Sequence, residues 1–306
     1  MIFELDRVTK IYGRVTALKN LSVAAPKGAI GLLGPNGAGK TTMIRTLLGL
    51  IAINSGDGKV LGHDIRRERL DIRQKVGFVP ENECLFPGVT GLEFVRFAGQ
   101  LCGMSYGDAM QRAHEVLDYT GVSEFRYRKV ESYSTGMKQR IKIAAALVHD
   151  PQLLILDEPT NGMDPAGRDE ILKLAHDLSH NKGMSLIFSS HLLPDVEHVC
   201  DYVVVMTRGQ VIAQGKISDL KRIHRQRFQV RLKEPPDRFS LELRAAGCLV
   251  EPREDLLEVQ MNEGQDESIL WQIAERIRVQ IRFLRPQRST LEEVFLTAVA
   301  TGTEGA

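Results

Sequence analysis

Little in this chain would hold it together covalently or draw it to a charged partner at long range. Its four cysteines, Cys84, Cys102, Cys200 and Cys248, form no CxxC pair and no metal-ligand spacing. That excludes a disulfide scaffold or a zinc ribbon and fits free thiols in a reducing, cytoplasmic compartment. Forty basic side chains against thirty-nine acidic ones leave a formal charge of +1. No global field steers the chain to an anionic membrane or to nucleic acid, and no nucleic-acid partner is expected. No run approaches the roughly 18 apolar residues of a spanning helix. The opening MIFELDRVTKIYG mixes charge into the stretch where a signal peptide carries its apolar core. There is no internal repeat and no low-complexity tract. What is present is 306 residues, 43% of them hydrophobic, enough for one large domain and a smaller one.

The apolar pattern orders the elements. AIGLL meets GPNGAGKTT and then a helix in which Met43, Ile44, Leu47 and Leu48 recur at helical spacing. LLIL at 153–156 reads as a second buried strand. Ile171, Leu174, Ala175 and Leu178 mark a helix after it, and MSLIF at 184–188 another strand. Strands alternating with helices predict a mainly parallel sheet covered on both faces. Residues 84–150 interrupt that alternation with helical patterns, as an inserted lobe would. YVVVM, TRGQ and VIAQG at 202–215 predict a closing hairpin. A basic connector, DLKRIHRQR, leads to a different texture: FQVRL, LELRAA, LLEVQM, SILWQIAERI, VQIRFL and LEEVFLTAV alternate short strand and helix patterns, a small α+β domain. The expected division is 1–220 and 221–306, with the terminal TGTEGA frayed.

Gly34, Pro35, Asn36, Gly37, Ala38, Gly39, Lys40 and Thr41 match the phosphate-loop pattern GxxxxGK[ST] in full, with Thr42 behind them. At ordinary residue frequencies such a match arises by chance in about one chain in a hundred of this length. The flanking strand and helix sharpen it further. Glycines let backbone N–H groups wrap phosphates, Lys40 reaches the β and γ phosphates, and the Thr41 hydroxyl suits Mg²⁺. A second magnesium anchor is needed at a neighbouring strand tip, and LLILDEP supplies Asp157, with Glu158 placed to orient or deprotonate water. His191, at the end of MSLIFSSH, stands where parallel strands line a ligand crevice, and so is a candidate γ-phosphate sensor. The stretch SYSTGMKQR poses a separate question. Ser134 suits a helix cap, yet Lys138 and Arg140 then set positive charge at the helix's positive end, which is unfavourable unless an anion sits there.

Over about residues 1–220 these motifs together resemble the nucleotide-binding subunit of ATP-binding cassette (ABC) transporters, a P-loop NTPase fold with an inserted helical lobe. The family's LSGGQ-like signature corresponds to Tyr133, Ser134, Thr135, Gly136 and Met137, departing at Tyr133, Thr135 and Met137. The resemblance implies that Tyr12 in KIYG stacks on adenine, a residue equally suited to packing. Asp164, in the loop Thr160–Asp164, would contact an opposing subunit. GFVPE puts Glu81 where the family usually carries glutamine as a Mg²⁺ and water contact. A carboxylate ligates magnesium but repels the γ-phosphate without it, so a working substitute and a detuned one both stay open. NECLFPGVTGLEF lies where the family docks a membrane subunit, or else forms lobe core. The C-terminal texture, closing on STLEEVFLTAV, looks like the accessory domain of the exporter branch with separate ATPase and membrane chains.

The implied function is ATP hydrolysis with Mg²⁺ as a homodimer, each P-loop covered by the other copy's signature, driving export through an integral membrane permease on a separate chain. The implied location is cytoplasmic, peripheral on the inner face of the cell membrane. The alternative is an ABC-type ATPase with a regulatory, ribosome- or nucleic-acid-associated role. A GTPase or small-molecule kinase fits less well, for there is no NKxD-like guanine reader and SYSTGMKQR is then unexplained.

Overall fold

The computed structural model describes residues 1–222, 227–253, 255–262 and 265–286. It divides into one unit over Met1–Ile217 and another beginning at Ser218. The first opens on two long antiparallel strands, β1 (Phe3–Tyr12) and β2 (Val15–Ala25). The hydrophobic pattern leaves these unassigned. Charges run through FELDRVTKIY, and Arg7, at φ 47°, accompanies a register slip, so Phe3, Leu5 and Val8 turn inward without strict alternation. β3 (Ala29–Leu33), by contrast, is buried at every position, as a strand covered on both faces must be.

The glycine loop leads from β3 into α1 (Lys40–Leu47). β4 (Ser55–Val60) and β5 (His63–Asp64) then complete a sheet of order β2-β1-β4-β5. Beyond α2 (Arg69–Lys75) and β6 (Val76–Val79) comes the helical lobe: α3 (Gly91–Leu101), α4 (Tyr106–Tyr119) and α5 (Thr135–Leu147), packed on one another. Thr90 and Glu93 close a reciprocal capping box on α3, while Ser105 and Ser134 cap α4 and α5. β7 (Leu153–Asp157), α6 (Pro165–His176), β8 (Ser185–Ser190), α7 (Leu193–Val199), β9 (Tyr202–Thr207) and β10 (Gln210–Lys216) finish the unit. The main sheet has the order β10-β9-β3-β8-β7-β6, parallel throughout except for the β9–β10 hairpin.

One core cluster joins both sheets through α1. Met43, Ile44 and Leu47 share it with Phe3, Val8, Leu18 and Leu21 on one side and Ile30, Leu32, Ile155 and Ile187 on the other. Each such buried side chain contributes about 1.5–3 kcal/mol, so the helix behind the glycine loop is gripped by both sheets. The segments after β3, β6, β7, β8 and β9 all leave the parallel strands at one carboxyl edge, where open α/β sheets bind their ligands.

In the second unit, α8 (Ile217–Arg222) precedes β11 (Arg227–Leu232), α9 (Asp237–Ala245), β12 (Leu249–Arg253), β13 (Leu256–Gln260), α10 (Ser268–Ile277) and β14 (Ile281–Pro286). The sheet is antiparallel with order β12-β13-β11-β14, a split βαββαβ arrangement. Phe239 and Leu243 of α9 and Leu270, Ile273 and Ile277 of α10 pack with Phe228, Val230, Val250, Leu257 and Val259. The expected segment LEEVFLTAV and the terminal TGTEGA lie outside the described residues. Among the described residues no helix is long and apolar enough to cross a membrane.

Candidate functional site

The glycine loop turns tightly because Gly39 takes φ 103°, and a Cβ there would meet the Ala17 carbonyl oxygen at 2.7 Å. Only glycine fits both demands. The turn delivers Lys40 to the start of α1, 6% exposed. Its ammonium donates to the carbonyls of Gly34 at 2.6 Å and Pro35 at 3.4 Å and pairs with Glu158 Oε1 at 3.0 Å. Thr41, the next residue, donates its hydroxyl to Asp157 Oδ2 at 2.9 Å.

Asp157 ends β7. Burial pushes its carboxyl above the ordinary range; the hydroxyls of Ser189 and then Thr41 oppose this, and the neighbouring charges of Glu158 and Glu81 add to it. Its Oδ1 is buried with no hydrogen-bond partner. An orphaned carboxylate oxygen beside a threonine hydroxyl is an oxygen donor set suited to Mg²⁺ rather than to a softer ion. Glu158 follows in the left-handed region, φ 47°, a conformation that strains a side-chain-bearing residue. Its backbone N–H donates to Ser189 O at 3.1 Å, and Oε2 lies 2.8 Å from His191 Nδ1. An ionised carboxylate only accepts, so the imidazole donates to Glu158 through Nδ1.

Glu81, just beyond β6, accepts from Asn161 Nδ2 at 2.9 Å. With Pro35 through Thr42, Glu158 and Arg208 it lines one cavity of about 500 Å³. Tyr12 ends β1 in an exposed position with Lys10 Nζ 4.6 Å from its ring centroid; Val15, Thr16 and Ala17, rather than Tyr12, line the cavity. Sequence reasoning missed those three and Arg208. TRGQ is legible as a hairpin turn, but its seat against the glycine loop is a long-range contact with no local signal.

The second half of the candidate machinery lies elsewhere. Ser134 caps α5, its Oγ accepting from Met137 N–H at 3.3 Å, and Asp164 caps α6, accepting from Gly167 N–H at 3.4 Å. Ser134, Thr135, Gly136, Met137 and Asp164 line a separate cavity of about 570 Å³. One expectation is corrected here. The basic turn of α5 does not lack counter-charges in its own chain: Lys138 pairs with Glu83 at 2.6 Å and Arg140 with Glu170. These acids come from the segment after β6 and from α6, remote in sequence, so the local pattern cannot show them.

The ABC transporter family pattern matches residues 18–161. The linearmycin resistance ATP-binding protein LnrL of Bacillus subtilis (strain 168) is 42% identical over 220 residues, spanning 72% of this chain and 70% of its own. The chain belongs to the ABC transporter ATP-binding proteins. Solved ABC cassettes agree. A dimeric post-hydrolysis state of the cassette MJ0796, bound to ADP and Pi, is 27% identical with a TM-score of 0.64, over 70% of this chain and 98% of that one. CbiO1 from Clostridium perfringens, described as part of the ABC transporter complex cbiONQ, is 29% identical with a TM-score of 0.65, over 72% and 90%. This ABC subunit is therefore an ATP-binding protein and an ATPase with the P-loop NTPase fold.

Proposed function

We propose that this ABC subunit powers export through a separate membrane permease as a homodimer, each P-loop completed by the Ser134–Met137 segment of the second copy. The observation that carries the reading is the division of the machinery within one chain. Contacts of 3.0 Å or less join Lys40, Glu158 and His191 and, beside them in sequence, Thr41 and Asp157, whereas the signature and Asp164 open onto a different cavity. A head-to-tail pair brings the halves together, and the dimeric ADP-bound relative supports it. The resistance role in the name of LnrL supports export, and the membership of cbiO1 in a complex supports a permease on another chain.

Thr41 and Asp157 would hold Mg²⁺, with Glu81 completing the shell, and the ion would neutralise charge on the phosphate oxygens. Lys40, drawn to the β and γ phosphates, releases Oε1 of Glu158, which then orients the attacking water and accepts its proton. His191, held by Glu158 through Nδ1, offers Nε2 to the γ-phosphate region. Tyr12, paired in register with the cavity residue Val15, supplies the adenine-stacking ring. The segment at 82–94 divides between two duties: Leu92 and Phe94 are buried in the lobe, while Phe86 stays exposed, edge-on at 5.9 Å to the exposed Phe97 farther along α3. That outer pair is the proposed seat of the permease, which holds the subunit peripherally on the cytoplasmic face of the membrane. Glu158→Gln is the test. It should bind ATP, lose about 10²–10⁴-fold in turnover and accumulate as an ATP-bound dimer in light scattering. Near-normal turnover would remove Glu158 from the mechanism.

A further inference from the structure

The hairpin turn between β9 and β10 reads Thr207-Arg208-Gly209-Gln210, and both central residues have positive φ, 47° at Arg208 and 77° at Gly209. A two-residue turn of this hand favours Asn, Asp or Gly in its first central place. Arginine there is strained, and among the described residues its side chain has no acidic partner. Of the described non-glycine residues with positive φ, only Glu158 and Arg208 line the P-loop cavity. The turn is seated firmly. Gly209 N–H donates to Ala38 O and Gly209 O accepts from Lys19 N–H, both at 2.9 Å.

Sheet order decides which part of a ligand Arg208 can reach. β3, which carries the P-loop, has β9 on one side and β8, β7 and β6 on the other. Glu158, His191 and Glu81 follow the latter strands, so Arg208 flanks the loop from the side opposite the groups assigned to water and the γ-phosphate. From this we infer that Arg208 is a nucleotide-binding residue whose guanidinium grips oxygens of the nucleoside diphosphate portion common to ATP and ADP. Five fixed donors suit it to phosphate oxygens, and tolerated strain at a ligand cavity is the mark of a residue retained for function.

The inference rests on the P-loop cavity being the nucleotide site, so Lys40→Ala is measured alongside. In the full chain, Arg208→Gly relieves the left-handed strain and should raise the melting temperature by about 2 °C. The same variant should bind ATP and ADP alike about fivefold to twentyfold more weakly by displacement of a fluorescent nucleotide. Arg208→Lys, keeping charge but not the fork, should fall between. If Arg208→Gly binds both nucleotides within twofold of the unaltered chain while Lys40→Ala has lost them, Arg208 is no ligand contact. A loss confined to ATP, or a lower melting temperature accompanying the weaker binding, overturns the inference equally. Normal binding by Lys40→Ala would instead overturn the site reading, and this one with it.

Discussion

At the scale of single residues the decisive chemistry is carboxylate spacing around one lysine. Asp157, Glu158 and Glu81 put three acidic groups near the P-loop, and the buried Lys40 pairs directly with one of them, Glu158. Glu81 matters because its charge reaches Asp157, helping to hold that carboxyl in its raised range. Without a divalent ion, three carboxylates and a triphosphate repel one another. Glu81→Gln keeps an oxygen to accept from Asn161 and removes one charge. It should tighten binding of metal-free ATP by about threefold to tenfold while raising the Mg²⁺ concentration needed for half-maximal hydrolysis. Titrations of nucleotide in EDTA and of Mg²⁺ at fixed ATP measure the two effects. Unchanged metal-free affinity would mean Glu81 lies outside the field felt by the phosphates.

At the scale of elements, one buried carboxylate joins the loop after the catalytic strand to two helices. Asp195 in α7 is fully buried and accepts from Thr160 Oγ1 at 2.6 Å, just beyond Glu158, and from Arg168 of α6 at 2.8 Å. Asp195→Ala leaves the hydroxyl and guanidinium without their acceptor and should cost about 3 kcal/mol. The corresponding fall in melting temperature is about 6–12 °C; a shift under 2 °C would show the network to be dispensable. Nothing in LLPDVEHVC foretells that pairing, since its partners lie 27 and 35 residues away. The same limit runs through the fold. β3, β7 and β8 are legible because two-sided burial makes them continuous apolar runs, and the P-loop because its chemistry is local. β1 and β2 are not, because one face is wet and a bulge breaks the alternation. Arg208, Asn161 and the acids answering Lys138 and Arg140 depend on which loops the sheet order brings together.

For the whole molecule, the proposed pairing of two half-sites predicts that activity belongs to the pair. Lys40→Ala and Ser134→Arg, each inactive alone, should recover hydrolysis when mixed, because one of the two sites in a mixed dimer keeps an intact P-loop facing an intact signature. An ATPase assay across mixing ratios checks this, and persistent inactivity at every ratio would show that the signature serves its own chain. The C-terminal unit, with its own core, stands outside that count. The Lys40–Glu158 pair gives the assembly one more property. On the proposed reading, a subunit without nucleotide holds its base against its own lysine, so ATP binding is an exchange of partners and the nucleotide is both the key and the load.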